Sequence, residues 1–156
     1  VVRITGDCPL IESDFIDRVI SKYVNESMDY VALTSNFAEG LDVEIFSELL
    51  LNKAFYEAKL PSEREHVALF FHNNSELFKM SRVENSVDDS RYRITIDEPE
   101  DFAVIESIIK YFYENNLELG FKEIKRYLDE HQEVFNLNVN IVRNEGLQKT
   151  LEKERF

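Results

Sequence analysis

Strand-like segments alternating with helix-patterned ones predict an α/β layered fold with a mixed or mostly parallel sheet. Two observations carry this. The runs Val1–Thr5, Asp29–Leu33, Leu41–Phe46 and Arg91–Ile96 are short, apolar or alternating, and bounded by Gly, Pro or polar turns. Between them, apolar residues return at intervals of three and four over stretches long enough for helices. With 156 residues, 44% of them hydrophobic, and no internal repeat or low-complexity tract, residues 1–156 read as a single domain with a real core.

The strand Val1–Thr5 is broken by Gly6-Asp7-Cys8-Pro9. Ser13 is an N-cap for a helix whose inward stripe is Phe15, Ile16, Val19, Ile20, Tyr23 and Val24. A polar loop from Thr34 to Gly40 joins Asp29–Leu33 to Leu41–Phe46, where alternation puts Asp42 and Glu44 on one face. Ser47 caps a helix to about Ala58, and Pro61 introduces another through Glu63-Arg64-Glu65-His66 and the apolar run Val67 to Phe71. Lys79–Val83 is read as an edge strand. Pro99 then suits the first turn of a helix, with Glu100 and Asp101 near the positive end of its dipole and Phe102, Ile105, Ile108, Ile109 and Phe112 as its buried stripe. A further helix is expected from Lys122 to His131. Gly146 precedes a charged terminal helix, Gln148 to Phe156, expected to be solvated or subunit-facing.

A formal net charge of -13 gives no broad attraction to phosphate backbones or anionic lipid, so neither nucleic acid nor a membrane surface is expected as a partner. An anionic substrate would instead need a bound cation or a few placed Arg and Lys side chains. The single cysteine, Cys8, excludes an intramolecular disulfide framework and fits a reducing, cytoplasmic setting. Its acidic neighbours and apolar flanks argue for a small packed residue and against a nucleophile. The first residues are already strand-like, with no initiator Met, so the chain is expected to be part of something longer.

Ligands of α/β sheets collect at the carboxyl ends of strands. Asp7 follows one strand through Gly6, and Asp97 follows another with a Pro-started helix behind it. On neighbouring strands the two carboxylates would converge, and two carboxylates plus substrate phosphates are a usual way to hold Mg²⁺. The plainer alternatives are a turn residue for Asp7 and a helix-start acid for Asp97. The four glycines, Gly6, Gly40, Gly120 and Gly146, are far apart and form neither a dinucleotide fingerprint nor a P-loop. His66, His72, His131 and Cys8 have no zinc spacing, and no Ser lies in a nucleophile elbow.

The stretch Arg3-Ile4-Thr5-Gly6-Asp7-Cys8-Pro9-Leu10-Ile11 resembles the central motif of the cytidylyltransferases of the spore coat polysaccharide biosynthesis type. Later family motifs are matched in order by 40–46, by 62–67, by 93–102 and by Asn144-Glu145-Gly146. The resemblance extends to synthetases of CMP-activated 3-deoxy-octulosonate and sialic acids. It implies a Rossmann-like nucleotidyltransferase domain, Mg²⁺ as cofactor, and transfer from CTP to a sugar with release of pyrophosphate. By the same resemblance Asp7 and Asp97 are the metal-binding and catalytic aspartates. Family members begin with a strand and a basic, Gly-containing loop that grips CTP. Nothing here matches these, so the chain is expected to be the C-terminal portion, lacking the N-terminal nucleotide-binding half and inactive alone.

Arg64 and His66 fall in a stretch that faces the sugar in the relatives and are candidate substrate-binding residues, or merely charges on a helix turn. Asp42 and Glu44 could touch sugar hydroxyls or be solvated. Arg3 and Arg93, on the strands leading to the two aspartates, could meet phosphate or pair with buried acids. Two other functions stay open: a glycosyltransferase-like protein using nucleotide sugars, and a non-catalytic dimerisation module. An uncovered sheet edge favours a homodimer.

Overall fold

The computed structural model describes residues 1–154. Its elements run β1 (Val2–Ile4), α1 (Ser13–Glu26), β2 (Tyr30–Leu33), β3 (Val43–Phe46), α2 (Glu48–Glu57), α3 (Pro61–Glu65), α4 (Val67–Asn73), β4 (Met80–Val83), α5 (Pro99–Glu114), α6 (Phe121–Glu130), α7 (Gln132–Phe135) and α8 (Glu145–Glu154). The sheet has the order β1-β3-β2-β4. β2 and β4 are parallel, while β3 runs antiparallel to both of its neighbours, so the sheet is mixed. As expected, β4 lies at an edge.

Period-two alternation sorts the strands between two cores. Val31 and Leu33 of β2, with Val43 and Ile45 of β3, join the larger core against α1, α5 and α6. Tyr30, Ala32 and Phe46 point the other way, into a smaller core closed by α2 and α4 through Leu50, Ala54, Phe70 and Phe71. The result is a sheet between two helical layers. On the second face, the helices leave part of the sheet uncovered as a cleft.

Local signals explain several boundaries. The Ser47 hydroxyl accepts from the N–H of Leu50 at 3.1 Å and so starts α2 as its sequence suggests. Pro99 begins α5. The helix predicted from Pro61 is split, because His66 leaves helical geometry between α3 and α4.

Four expectations are corrected. Arg91–Ile96 is not a strand of the sheet: it makes one parallel bridge, between Arg93 and Glu39. Its backbone bonds go to loops instead, with the Ile94 N–H donating to Glu39 (2.8 Å) and the Ile96 N–H to the Asp7 carbonyl (2.9 Å). The stripe of α5 is rotated, since Asp101, Val104, Ile105, Ile108 and Phe112 are buried while Phe102 and Ile109 are exposed. An acid takes the first inward position because it has a buried cation to meet. Val24 likewise faces out, one position past the inward arc of α1. The terminal helix is not simply solvated: α8 docks on α3, with the Ser62 N–H and hydroxyl donating to Glu154 at 2.6 and 2.7 Å. Arg155 and Phe156, included in the helix expected there, lie outside the described residues.

Gly40 locks the loop before β3. Its φ is +99°, and a Cβ there would sit 2.5 Å from the Ile94 carbonyl carbon and oxygen. Gly40→Ala is expected to cost at least about 2 kcal/mol of unfolding free energy in urea titration, from a disfavoured backbone conformation plus overpacking.

Candidate functional site

The cleft has a volume of about 500 Å³ and is bounded by the sheet face, the 93–98 segment, α4 and the start of α8. One wall carries a buried arginine. Arg93 is 8% exposed, and its guanidinium meets Asp101 through Nε and Nη2 (both 2.8 Å), Glu39 through Nη1 (2.5 Å) and Asp97 through Nη2 (2.9 Å). The planar fork of Arg matches a carboxylate with two parallel bonds, which a lysine could not do.

Asp101, with no exposed surface, is the hub on the acidic side. Besides Arg93 it accepts from the Asn138 side chain (2.8 Å) and from the N–H groups of Asp97 (3.1 Å) and Glu98 (3.0 Å). Those N–H groups lie at the start of α5, where unpaired donors and the helix dipole favour a negative charge. Burial would raise the Asp101 carboxyl, but Arg93, Asn138 and the two N–H groups outweigh it and hold it below its ordinary value. Arg93 therefore pairs with buried acids, one of its two open alternatives.

This network carries Asp97 to the cleft. Asp97 is half exposed, and burial first, then the nearby Asp7, Glu39 and Asp101 charges, raise its pKa against the pull of Arg93. Asp7 lies on the adjoining loop, where its carbonyl accepts from the Ile96 N–H and from the Thr95 hydroxyl (3.1 Å). Both aspartates line the same cleft. Beside them Cys8 is buried, its thiol pushed up to about 11, mainly by burial, so it is packed and inert as its neighbours suggested.

The remaining candidates divide. Glu44 and Asp42 both line the cleft. Glu44 is not free, since Arg3 donates to it at 2.8 Å and the Tyr30 hydroxyl at 2.6 Å. Asp42 is exposed and accepts from the Gly40 N–H (3.2 Å) and from Arg143 (3.4 Å). His66 lines the cleft, and its buried Nε2 has no hydrogen-bond partner among the described residues. Arg64 is exposed on α3 and is not part of the cleft wall. Glu39, Asp101, Asn138 and Arg143 were missed. No local pattern marks them, because the contacts that bring them to the site, such as Arg93 with Glu39, Asn138 with Asp101 and Arg143 with Asp42, are made only in the folded chain.

Truncating one member of a buried ion pair leaves the other uncompensated, so Arg93→Ala is expected to cost about 3–5 kcal/mol in denaturant unfolding. A carboxyl whose folded pKa is depressed adds stability that is complete above its ordinary value and is lost as pH falls through the folded one. Asp101→Asn should therefore lower stability at neutral pH and flatten its decline toward acid, as read from urea midpoints between about pH 3 and about pH 7.

Comparison with known proteins agrees with this geometry. A family model described as cytidylyltransferase matches residues 1–141. A structure of a cytidylyltransferase from Leptospira borgpetersenii superimposes with a TM-score of 0.76 at 34% identity, covering 86% of this chain and 57% of that one. An uncharacterized protein of Methanocaldococcus jannaschii is 34% identical over 90% of this chain and 58% of its own length. The spore coat polysaccharide biosynthesis protein SpsF of Bacillus subtilis is 27% identical over 69% of this chain and 46% of its own length. The chain thus spans roughly half the length of the curated relatives it matches. With the family model matching almost the whole chain, over a mixed α/β sheet and a cleft that gathers Asp7 and Asp97, this chain belongs to the cytidylyltransferase family.

Proposed function

We propose that this chain forms the metal- and sugar-facing portion of an enzyme that joins CTP to a sugar acid, giving a CMP-sugar and pyrophosphate for cell-surface or spore-coat polysaccharide. The observation that carries this is the convergence of Asp7 and Asp97. They come from distant parts of the chain, and the Asp7 carbonyl is tied to Thr95 and Ile96, immediately before Asp97. The likeness to SpsF supports the polysaccharide setting.

Mg²⁺ fits these residues. Burial first raises the Asp97 pKa, and the Asp7, Glu39 and Asp101 carboxylates add to it against the pull of the single Arg93; a cation would offset these neighbouring acids. Asp7 and Asp97 would hold it. Among the described residues no group of three or more His, Cys, Asp or Glu could bind a metal, so phosphate oxygens and water would complete the shell. Bound there, the ion would neutralise charge on the attacked phosphate and on departing pyrophosphate. Arg93 orients the Asp97 carboxylate from behind, while Thr95 fixes the Asp7 backbone. Attack by a sugar hydroxyl on the α-phosphorus needs such positioning more than a protein nucleophile. No helix among the described residues is long and apolar enough to cross a membrane.

The grip on the triphosphate and base is assigned to the portion of the relatives that this chain does not span. Apolar residues left on the surface fit association with further protein: Val2 and Ile4 on β1 are 38% and 41% exposed, and Leu49, Phe55 and Tyr56 on α2 are 76%, 64% and 80% exposed. A homodimer is the proposed assembly.

In the full-length protein, Asp97→Asn is expected to lower pyrophosphate release from CTP and sugar acids by at least about a hundredfold without unfolding it. Unchanged turnover at saturating CTP and Mg²⁺ would reject the role. For the chain alone, calorimetry should find negligible CTP binding and sedimentation a dimer. Tight CTP binding by a monomer would move the nucleotide site into this chain.

A further inference from the structure

One row of side chains crosses the whole sheet. Arg3 on β1 stands opposite Glu44 on β3, Glu44 opposite Ala32 on β2, and Ala32 opposite Arg82 on β4. Residues paired in this way share a face, and all four line the cleft together with His72 of α4. Their charges are not equally settled. Both oxygens of Glu44 are engaged, one by Arg3 and the other by the Tyr30 hydroxyl, so its charge is offset at the sheet surface.

Arg82 has no carboxylate within ion-pair distance among the described residues. Its Nη1 donates to the Leu33 carbonyl at 3.3 Å, which anchors the guanidinium and leaves further donors of the fork for a ligand. Between Glu44 and Arg82 the row carries only Ala32, a nearly buried methyl group at the cleft wall, so no polar side chain stands between the two charges. His72 stands beside it, its ring 5.4 Å from that of Tyr30, and burial and then Arg82 lower its pKa so that it is a neutral donor or acceptor. In a chain with 31 Asp and Glu against 18 Lys and Arg, a cleft arginine lacking an acidic partner is a chemical exception.

We infer that the row Arg82, Ala32 and Glu44 determines acceptor specificity, taking an anionic substituent of the sugar on the Arg82 guanidinium and a neighbouring hydroxyl on Glu44. The assignment rests on the reading of the cleft as a sugar site. It adds Arg82 as the charge-selecting residue and Ala32 as the one whose small size admits the ring. A carboxylate and a phosphate both offer the paired oxygens that a guanidinium prefers. A neutral sugar would offer the guanidinium no charge, and its neutral bonds are weaker than the charge-assisted pair that a carboxylate or phosphate makes.

The test uses this chain without CTP or Mg²⁺ and follows the arginine Nε–H signals by NMR during titration with glucuronate, glucose 6-phosphate or glucose. Binding of at least one of the two anions should exceed that of glucose by at least about tenfold and shift the Arg82 signal. Tighter glucuronate binding identifies a carboxylate-bearing acceptor, and tighter glucose 6-phosphate binding a phosphorylated one; either supports the shared chemistry. Arg82→Gln, at an exposed position, should abolish the preference, and Arg82→Lys should restore part of it. Equal affinity for all three compounds, no binding of any, or Arg82→Gln with the original preference overturns the assignment. Because nucleotide and metal are absent, that failure leaves transfer at Asp7 and Asp97 standing. Conversely, lack of pyrophosphate release by the full-length protein leaves the sugar row standing.

Discussion

Arg93 and Asp101 join three parts of the molecule that are separate elements of the chain. Arg93 lies on an irregular segment, Asp101 at the start of α5, and Glu39 on the loop before β3. Burying either charge alone would be costly, and mutual attraction repays it only when the other donors and acceptors are also satisfied. Here they are. Asn138 bridges the Asp101 carboxylate and the Arg93 carbonyl, and the first N–H groups of α5 complete the shell. The pair functions as a joint, and the position of the cleft floor follows from it.

The same joint explains why the 93–97 segment keeps its shape without belonging to the sheet. Its backbone is held by Glu39 on one side and Asp7 on the other, while Ile94 inserts into the main core with no exposed surface. Asp97 is thereby delivered beside Asp7 with one oxygen already committed to Arg93. Such support behind a carboxylate fixes its direction, a requirement for any site that must hold a metal or a phosphate within a fraction of an ångström. The cleft's two ends then differ in kind. One gathers acids around Arg93, and the other carries Arg82 beside the small side chain of Ala32.

Much of the architecture was legible. The alternation in 30–33 and 43–46, the Ser47 cap and Pro99 gave strand and helix positions from rules that act over a few residues. Asp7 and Asp97 were singled out from strand-end placement and motif order; both line the cleft, although the segment leading to Asp97 is not a strand. The strand at 91–96 was misread because its alternation reflects alternating core and network contacts, while its hydrogen bonds go to loops. Of Arg64 and His66, only the histidine lines the cleft, because the helix breaks at His66 and Arg64 stays exposed on α3.

What the sequence determined by itself was the place of most strands and helices and of the turns that carry Asp7 and Cys8, since these depend on short-range periodicity and local breakers. Tertiary structure alone decided the partners of the charged side chains. The buried phase of α5 began at Asp101 and not at Phe102 because an acid with five well-placed donors is cheaper to bury than a periodicity rule assumes. In the same way, strand register alone set Arg82 beside Ala32 and opposed Arg3 to Glu44, leaving one cleft arginine paired and the other available. Pairing across dozens of residues is a property of the packed chain, for which a linear pattern has no signal.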